Sequence, residues 1–401
     1  MDPKHLPQVL ITHPGRQHSH QAALGLQRAG MLAGYWAGVP ALAEHGQAVP
    51  RTLWQRFIPY APVPLDPAGV RWAPWVPALR RLGDRLLPAR AARRADFRVC
   101  RAFDRWAAAR LPDAGADAVI ACEISALATF QEAHSLGMVT ILDAPSIYHQ
   151  AQDRLHGTED PPDLHRRVAE VKDEEIARAD HILTVSELAR RTYLDAGVPP
   201  EKVHALPLGA DTSLFHPAAE REEDGFTFLF AGAAIRRKGF DLLLEAFARV
   251  AAEEPDVRLR IVGPRGDASH LLREHPRISV AGTTDQQGLA AELRRSHCLV
   301  LPSRNDSYAM VVAEALASGV PVLVSEMVGA KDLVREGQNG WVVPVEDAGA
   351  LAARMLWCVR HRDEVRAMRD ECRRAAESAT WPAYHERLAA LIRSILHEQA
   401  A

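Results

Sequence analysis

The chain has 401 residues, 47% of them apolar and 25% charged, with a formal net charge of −3. That is a globular composition on a chain too long for one ordinary core, so two domains are expected. The slight acidity excludes a dedicated nucleic-acid binder, and five cysteines without C-x-x-C spacing (Cys100, Cys122, Cys298, Cys358, Cys372) exclude a disulfide or zinc framework.

Met1-Asp-Pro-Lys-His-Leu-Pro7 lacks the basic and apolar regions of a secretory signal. No apolar run approaches the ~18 residues of a membrane span, so a cytoplasmic chain is expected. Gln8–Thr12 reads as a short strand, His13-Pro14-Gly15 as a turn, and the apolar spacing through Ala22, Leu24, Leu26 and Ala29 as a helix ending at Gly30. This is how a doubly wound α/β domain opens. Residues 40–77, rich in proline and without clear period, read as an irregular insertion.

Arg71–Arg110 holds eleven Arg, no Lys and three Asp, together with Trp72, Trp75 and Trp106. A helix is expected from about Arg90, with Ala95, Val99, Phe103 and Trp106 on one apolar face. That stripe reads as buried, backed by a basic face. The sharper reading is peripheral contact of this segment with anionic headgroups on the inner face of the membrane.

Ala118–Cys122, Val139–Leu142 and Asp180–Ser186 are β-rich apolar runs of the kind found in parallel strands. Asp153–Asp173, punctuated by Pro161-Pro162, reads as a loop at its start. His216–Gly225 is acidic and free of apolar runs, and is taken as the linker. The expected domains are therefore 1–215, joined by a terminal helix at about 383–401, and 216–382. In the second, strands at Phe226–Phe230, Arg258–Val262, Ile278–Ala281 and Leu299–Leu301 alternate with helical patterns at Phe240–Val250 and Leu289–Arg295.

The most telling stretch is Pro302-Ser-Arg-Asn-Asp-Ser-Tyr-Ala-Met-Val-Val-Ala-Glu-Ala-Leu-Ala-Ser-Gly-Val-Pro321. A buried strand turns into a helix expected from about Tyr308 to Ala317, ended by Ser318-Gly319 with Pro321 beyond. Such a turn aims free backbone N–H groups at one point and attracts anions, phosphate above all. Asp306 precedes the helix and Glu314 lies about two turns along it, flanking that point. Alone, the first reads as a helix cap and the second as a solvated helix residue. Arg236-Arg237-Lys238-Gly239, after a strand and the Gly232 turn, offers cations to the same anion. Alone, it reads as a solvated basic turn.

The stretch resembles the E-x7-E signature of the retaining glycosyltransferases of family 4, EGFGLVxLEAMAxGxPVV, with Asp306 and Glu314 at the two Glu positions. Phe228–Phe247 is similar to the family's VGRLxxxKGxxxLLxAF. Thr184–Glu187, Leu206–Asp211, Gly329–Val334 and Gly337–Gly340 continue the resemblance in order and spacing. The match spans roughly residues 180–345.

The resemblance implies the GT-B architecture, two Rossmann-like doubly wound domains facing across a cleft. It implies transfer of a hexose-type sugar from a UDP-, GDP- or ADP-linked donor to a glycan, lipid-linked or small-molecule acceptor. The chain contains no Asp-x-Asp element, so no metal and no cofactor are expected. Lys238, Arg237 and the amides at Tyr308, Ala309 and Met310, beside Ser307, would neutralise the leaving diphosphate. Glu314 would hold the ribose hydroxyls, and Asp306 would face the transferred sugar.

On the acceptor side Gly15 matches the family's glycine-rich loop in part, followed by His18 and His20. Asp143 stands near the family's functional histidine and His149 six residues later; both are carried as catalytic candidates. Two departures stand out: Ala233 in place of the family's Arg, leaving Arg237 as the second cation, and Asp306 in place of Glu. They keep open a non-catalytic sugar-nucleotide-binding protein or partner subunit. A dinucleotide-dependent oxidoreductase fails because no G-x-G-x-x-G follows any expected strand.

Overall fold

The computed structural model describes residues 6–38, 64–157, 160–218 and 225–400. Positions 40–63 of the expected insertion, and 219–224 of the expected linker, lie outside the described residues.

The first sheet has seven parallel strands: β1 (Val9–His13), β2 (Leu32–Ala37), β3 (Val70–Trp72), β4 (Ala118–Cys122), β5 (Val139–Ala144), β6 (His181–Thr184) and β7 (Val203–Ala205). They lie in the order β3-β2-β1-β4-β5-β6-β7. The second has six: β8 (Phe226–Ala231), β9 (Val257–Val262), β10 (Ile278–Gly282), β11 (Cys298–Leu301), β12 (Val322–Ser325) and β13 (Gly340–Val343), in the order β10-β9-β8-β11-β12-β13. Every residue of β1, β4, β11 and β12 is buried. Helices cover both faces, which is why these strands read as uninterrupted apolar runs.

These are the two Rossmann-like α/β domains expected of GT-B. In each, strand order reverses at the centre, between β1 and β4 and between β8 and β11. Open parallel sheets bind ligands outside the carboxyl ends of their strands at such switch points. All five cysteines are free and buried, as expected.

Three local expectations are corrected. The segment around Pro161-Pro162 is helical on both sides, His149–His156 and Pro162–Arg178. Pro162 occupies the first turn, where its missing N–H costs nothing, so it starts a helix rather than marking a loop. Within the expected insertion, Val70–Trp72 forms the edge strand β3 and a helix begins at Trp75. The anion-site helix is shorter than expected, Met310–Ala317, so Glu314 lies just over one turn from its start rather than two.

The Arg-rich segment forms two packed helices, Trp75–Leu86 and Ala89–Ala108. Val99 and Phe103 of the predicted stripe are buried. Leu79, Leu82 and Leu86 on the first helix are instead 46%, 54% and 66% exposed. Among the described residues no helix is long and apolar enough to cross a membrane.

The chain crosses between the sheets twice, and the crossings touch. The Ala210 amide donates to Ala379 O at 2.8 Å, and a Cβ on Gly209 would stand 2.3 Å from the Thr380 carbonyl carbon. The terminal helix Trp381–Ala400 then lies on Ser19–Arg28 of the first domain, burying Tyr384, Leu388, Ile392 and Ile395. A Cβ on Gly25 would meet His385 at 2.9 Å, so the absence of a side chain there sets the approach of the two helices.

Candidate active site

The loops after β8 and β11 meet at the second domain's switch point. Gly239 has φ +67°, and a Cβ there would lie 1.9 Å from Pro302 O. Only glycine permits both the conformation and the contact. The 3-10 turn Arg236–Lys238 is thereby pressed against the loop that leads into Met310–Ala317. Lys238 Nζ pairs with the Asp306 carboxylate. Arg237 Nη1 donates to Asn305 O at 3.1 Å.

Arg304, which sequence reasoning passed over, ties the arrangement together. Its amide donates to Arg237 O at 2.8 Å and its Nη1 to Arg236 O at 2.5 Å. Nη1 and Nη2 also reach Asp241 at 2.7 and 3.0 Å, and Nη2 reaches Glu346 at 2.9 Å. These bonds raise the guanidinium further above its usual range, the Asp241 bonds contributing most. Burial favours a neutral Asp241, yet the Arg304 bonds outweigh it and hold the carboxyl below its usual range. The residue stood inside the quoted motif. Only the proximity of three loops from separate strands reveals its role.

The Met310–Ala317 helix begins from Ala309 in the left-handed region, φ +67° and ψ 75°, where the family pattern has Gly. A non-glycine residue there costs about 1–2 kcal/mol. Tyr308 is buried and donates its hydroxyl to Leu208 O of the first domain at 2.6 Å. Ser186 Oγ, also from the first domain, donates to Ser307 O at 2.6 Å. The loop bearing the signature is therefore fastened across the cleft. Gly329 permits this, since a Cβ there would meet Ser307 O at 2.0 Å.

Glu314 is 6% exposed, and among the described residues no donor or cation reaches its carboxylate. Burial pushes its pKa up to about 7. A buried carboxylate without a partner is costly in a fold and characteristic of a binding site. Orphaned polar atoms gather at both switch points: Ser303 Oγ and Asn305 Oδ1 after β11, Thr12 Oγ1 and His13 Nε2 at the end of β1. Buried polar atoms are normally satisfied, so such clustering calls for an explanation.

In the first domain the Gly15 amide donates to His13 Nδ1 at 2.9 Å, which places the imidazole proton on Nε2. Burial pushes the His13 pKa down to about 4, so the ring is neutral. Arg80 reaches the same loop, donating to Pro14 O at 3.4 Å. Asp143, near the end of β5, pairs with His18 at 3.1 Å. His149 instead opens the His149–His156 helix and bonds Asp173 at 2.7 Å. The two first-domain candidates thus have separate partners. Beside them Glu175 accepts from the amides of Ile124, Ala126 and Leu127 at 2.7, 2.9 and 3.2 Å, holding the loop after β4 with Ile124 at φ +70°.

Residues 225–361 match the family described as Glycosyl transferases group 1. The D-inositol 3-phosphate glycosyltransferase of Geodermatophilus obscurus is 30% identical over 250 residues, 56% of this chain and 55% of that protein. The phosphatidyl-myo-inositol mannosyltransferase of Mycobacterium tuberculosis is 33% identical over 180 residues, 43% of this chain and 47% of the relative. The chain spans about half the length of the curated relatives it matches. The structure of sucrose-phosphate synthase from Thermosynechococcus elongatus aligns with a TM-score of 0.74 and 18% identity, covering 98% of this chain and 100% of that one, a likeness of fold. The match at 225–361, the in-order motifs and the two switch-point domains agree: residues 225–361 are similar to the group 1 glycosyl transferases, and the chain has the GT-B fold.

Proposed function

We propose that the protein is a retaining glycosyltransferase that moves a hexose-type sugar from a nucleoside-diphosphate donor to a glycan, lipid-linked or small-molecule acceptor without a metal ion. The observation that carries it is the buried Glu314 carboxylate on the Met310–Ala317 helix, whose preceding loop is held by Lys238 at Asp306 and by Arg237 at Asn305 O. A carboxylate suits the vicinal hydroxyls of ribose, and two cations with free helix amides suit a diphosphate. Lys238 and Arg237 would stabilise charge on the leaving phosphate, and Asp306 would orient the sugar while holding Lys238 in place. A leaving phosphate oxygen on the same face would receive the acceptor proton, so positioning and electrostatics rather than a protein nucleophile would carry the reaction. The names of the relatives, which act on inositol phosphate and phosphatidyl-inositol, favour a polar or lipid-borne alcohol as acceptor.

The test is calorimetric binding of UDP, GDP and ADP with and without EDTA, followed by transfer assays with the corresponding sugars. Binding of one diphosphate that survives chelation is expected. Binding that vanishes with EDTA and returns with magnesium would defeat the metal-free reading. The Lys238–Asp306 pair, which engages the principal cation, favours a second reading as a non-catalytic sugar-nucleotide binder; binding without hydrolysis or transfer would select it.

The exposed Leu79, Leu82 and Leu86 ridge, flanked by Arg81 and Arg85, supports peripheral contact with an anionic leaflet. Sedimentation with anionic liposomes that is lost at high salt is expected, because exposed charges are screened beyond about 10 Å at 0.1 M salt. No association at either salt would point to a soluble acceptor.

A further inference from the structure

The helices Trp75–Leu86, Ala89–Ala108 and Pro162–Arg178 and the loop after β4 surround an open cavity of about 810 Å³. Small-molecule sites run from about 300 to 1,000 Å³. Ile124, the second residue past β4, forms part of the wall, and Glu175 holds that loop through three amides. The neighbouring Glu123 amide donates to Asp143 O, near the end of β5, at 3.1 Å. Arg80, also in the wall, reaches Pro14 O in the loop after β1 at 3.4 Å. The cavity thus borders the loops that follow both strands of the first domain's switch point, where an open parallel sheet takes its ligands.

The lining has two characters. Leu87, Ala92, Phe97, Leu164 and Val168 give it apolar walls. Its charges are two guanidiniums, Arg80 and Arg93, against three carboxylates, Asp84, Asp96 and Asp160. Both guanidiniums are engaged. Arg80 Nε donates to Asp96 at 2.5 Å and Nη2 to Cys100 Sγ at 3.0 Å, and Arg93 Nη1 donates to Asp160 at 3.1 Å. Asp84 is exposed, and among the described residues no cation pairs with it.

A phosphate entering here would meet cations already paired and one carboxylate in excess, so the cavity disfavours anions. An uncharged polyol meets no such penalty. Paired carboxylates keep lone pairs and paired guanidiniums keep N–H groups, and sugar hydroxyls bond both. The apolar walls call for hydrocarbon on the same ligand. Leu87 lines the cavity while 41% exposed, and it directly follows the ridge of Leu79, Leu82 and Leu86. An apolar path therefore leads from the surface into the cavity.

We infer that this cavity is the acceptor site and takes an uncharged glycoside with an apolar aglycone, its sugar beside Arg80 and Ile124 and its hydrocarbon leading out past Leu87. The inference rests on the transferase reading and narrows the acceptor given there to an uncharged one.

The test measures binding of methyl, hexyl and octyl glucoside, of octyl phosphate, and of UDP, GDP and ADP to the full chain. Glucoside affinity should rise with chain length, about tenfold for each two methylenes that enter the cavity. Octyl phosphate, with the same chain, should bind at least about tenfold more weakly than octyl glucoside. Ala92→Trp should fill the cavity and remove the dependence on chain length, while diphosphate affinity stays within about twofold. Ala89→Trp, at an exposed position of the same lining, is a second filling variant, and thermal melting checks that each is folded. With Asp84→Asn and Asp160→Asn combined, two guanidiniums face one carboxylate, and octyl phosphate should gain about 3- to 10-fold.

A glucosyl diacylglycerol held in phosphatidylcholine vesicles identifies the source of the chain. Its binding assigns the hydrocarbon to a membrane lipid, binding of octyl glucoside alone assigns it to a free glycoside, and either supports the site. Equal affinity for methyl and octyl glucoside would overturn the inference, as would octyl phosphate binding as tightly as octyl glucoside. Chain-length dependence retained in both folded filling variants would also overturn it, and in each case diphosphate binding leaves the donor reading intact. With the nucleotide sugar that the wild type turns over, octyl glucoside should compete with the acceptor in use; no competition would overturn its placement in the acceptor site. A chain that binds octyl glucoside but transfers no sugar would defeat the transferase reading and leave a binding site without a reaction.

Discussion

The two sides of the cleft are built by different rules. On the proposed donor side, Lys238, Arg304, Asp306 and Glu314 lie on two loop-helix connections from adjacent strands, and each connection is short. On the proposed acceptor side, the pairs that close polar groups join distant segments: His18 with Asp143, His149 with Asp173, Glu175 with the loop after β4. A site made from contiguous loops keeps its chemistry in local spacing. A site made by tertiary convergence stores its chemistry in the packing, which lets the acceptor wall change while the donor loops stay constant.

If the donor side is self-contained, damage there should reach every acceptor alike. The largest effect is expected for Lys238→Ala, a drop in kcat/KM of about 10²–10³, the cost of removing a donor to developing negative charge. Steady-state kinetics with two unrelated acceptors would check it, and a loss confined to one acceptor would break the comparison.

Next in size is Arg304→Gln, which keeps some hydrogen-bonding capacity but abandons the charged bonds to Asp241 and Glu346. A loss of about 1.5–3 kcal/mol in nucleotide binding is expected, without a comparable loss in binding of acceptor alone. Titration calorimetry with each ligand separates the two, and unchanged nucleotide affinity would show that the loops hold their places without it.

Glu314 gives a smaller effect with a defined sign. Its folded pKa of about 7 lies above the ordinary carboxyl value, because burial disfavours the charge. The folded chain therefore binds a proton that the unfolded chain releases, and this group makes stability fall as pH rises from about 4.5 to 7. Ribose hydroxyls bond the ionised form, so nucleotide affinity should rise from pH 6 to 8 and then level. Glu314→Gln should flatten that profile at a cost of about 1–3 kcal/mol in affinity. A pH dependence retained in the variant would exclude Glu314 as its source.

The smallest expected change is in stability. Ala309→Gly removes a left-handed strain of about 1–2 kcal/mol and adds about 0.5–1 kcal/mol of unfolded-state entropy. A net gain of up to about 1.5 kcal/mol in urea unfolding is expected, and a net loss would show that the Ala309 methyl packs usefully.

The same contrast explains what the sequence disclosed. Strands such as Ala118–Cys122 and Cys298–Leu301 were legible because burial on both faces demands unbroken apolar runs. Asp306 and Glu314 were visible through their spacing on one turn and helix. The Trp75–Leu86 helix escaped notice because Pro77 stands in its first turn, where proline is tolerated, and Arg80 and Arg81 interrupt its apolar residues. Pro161-Pro162 reads equally as a break or as a start, and the packing of Pro162–Arg178 selects the start. No spacing rule could join His18 to Asp143, because their meeting depends on β1 and β5 lying on either side of β4.

The helix that caps the first domain sets the order of events on the ribosome. Gln21 and its partner His385 are 364 residues apart. At about 5–20 residues per second, roughly 20–70 s separate their synthesis. Through that interval the face of Ser19–Arg28 waits uncovered, while the whole second domain emerges and can close on its own core. The nascent chain thus holds a finished second domain before its first domain is sealed. A chaperone that shields the Gln21, Gly25 and Arg28 face should leave only when the terminal helix arrives.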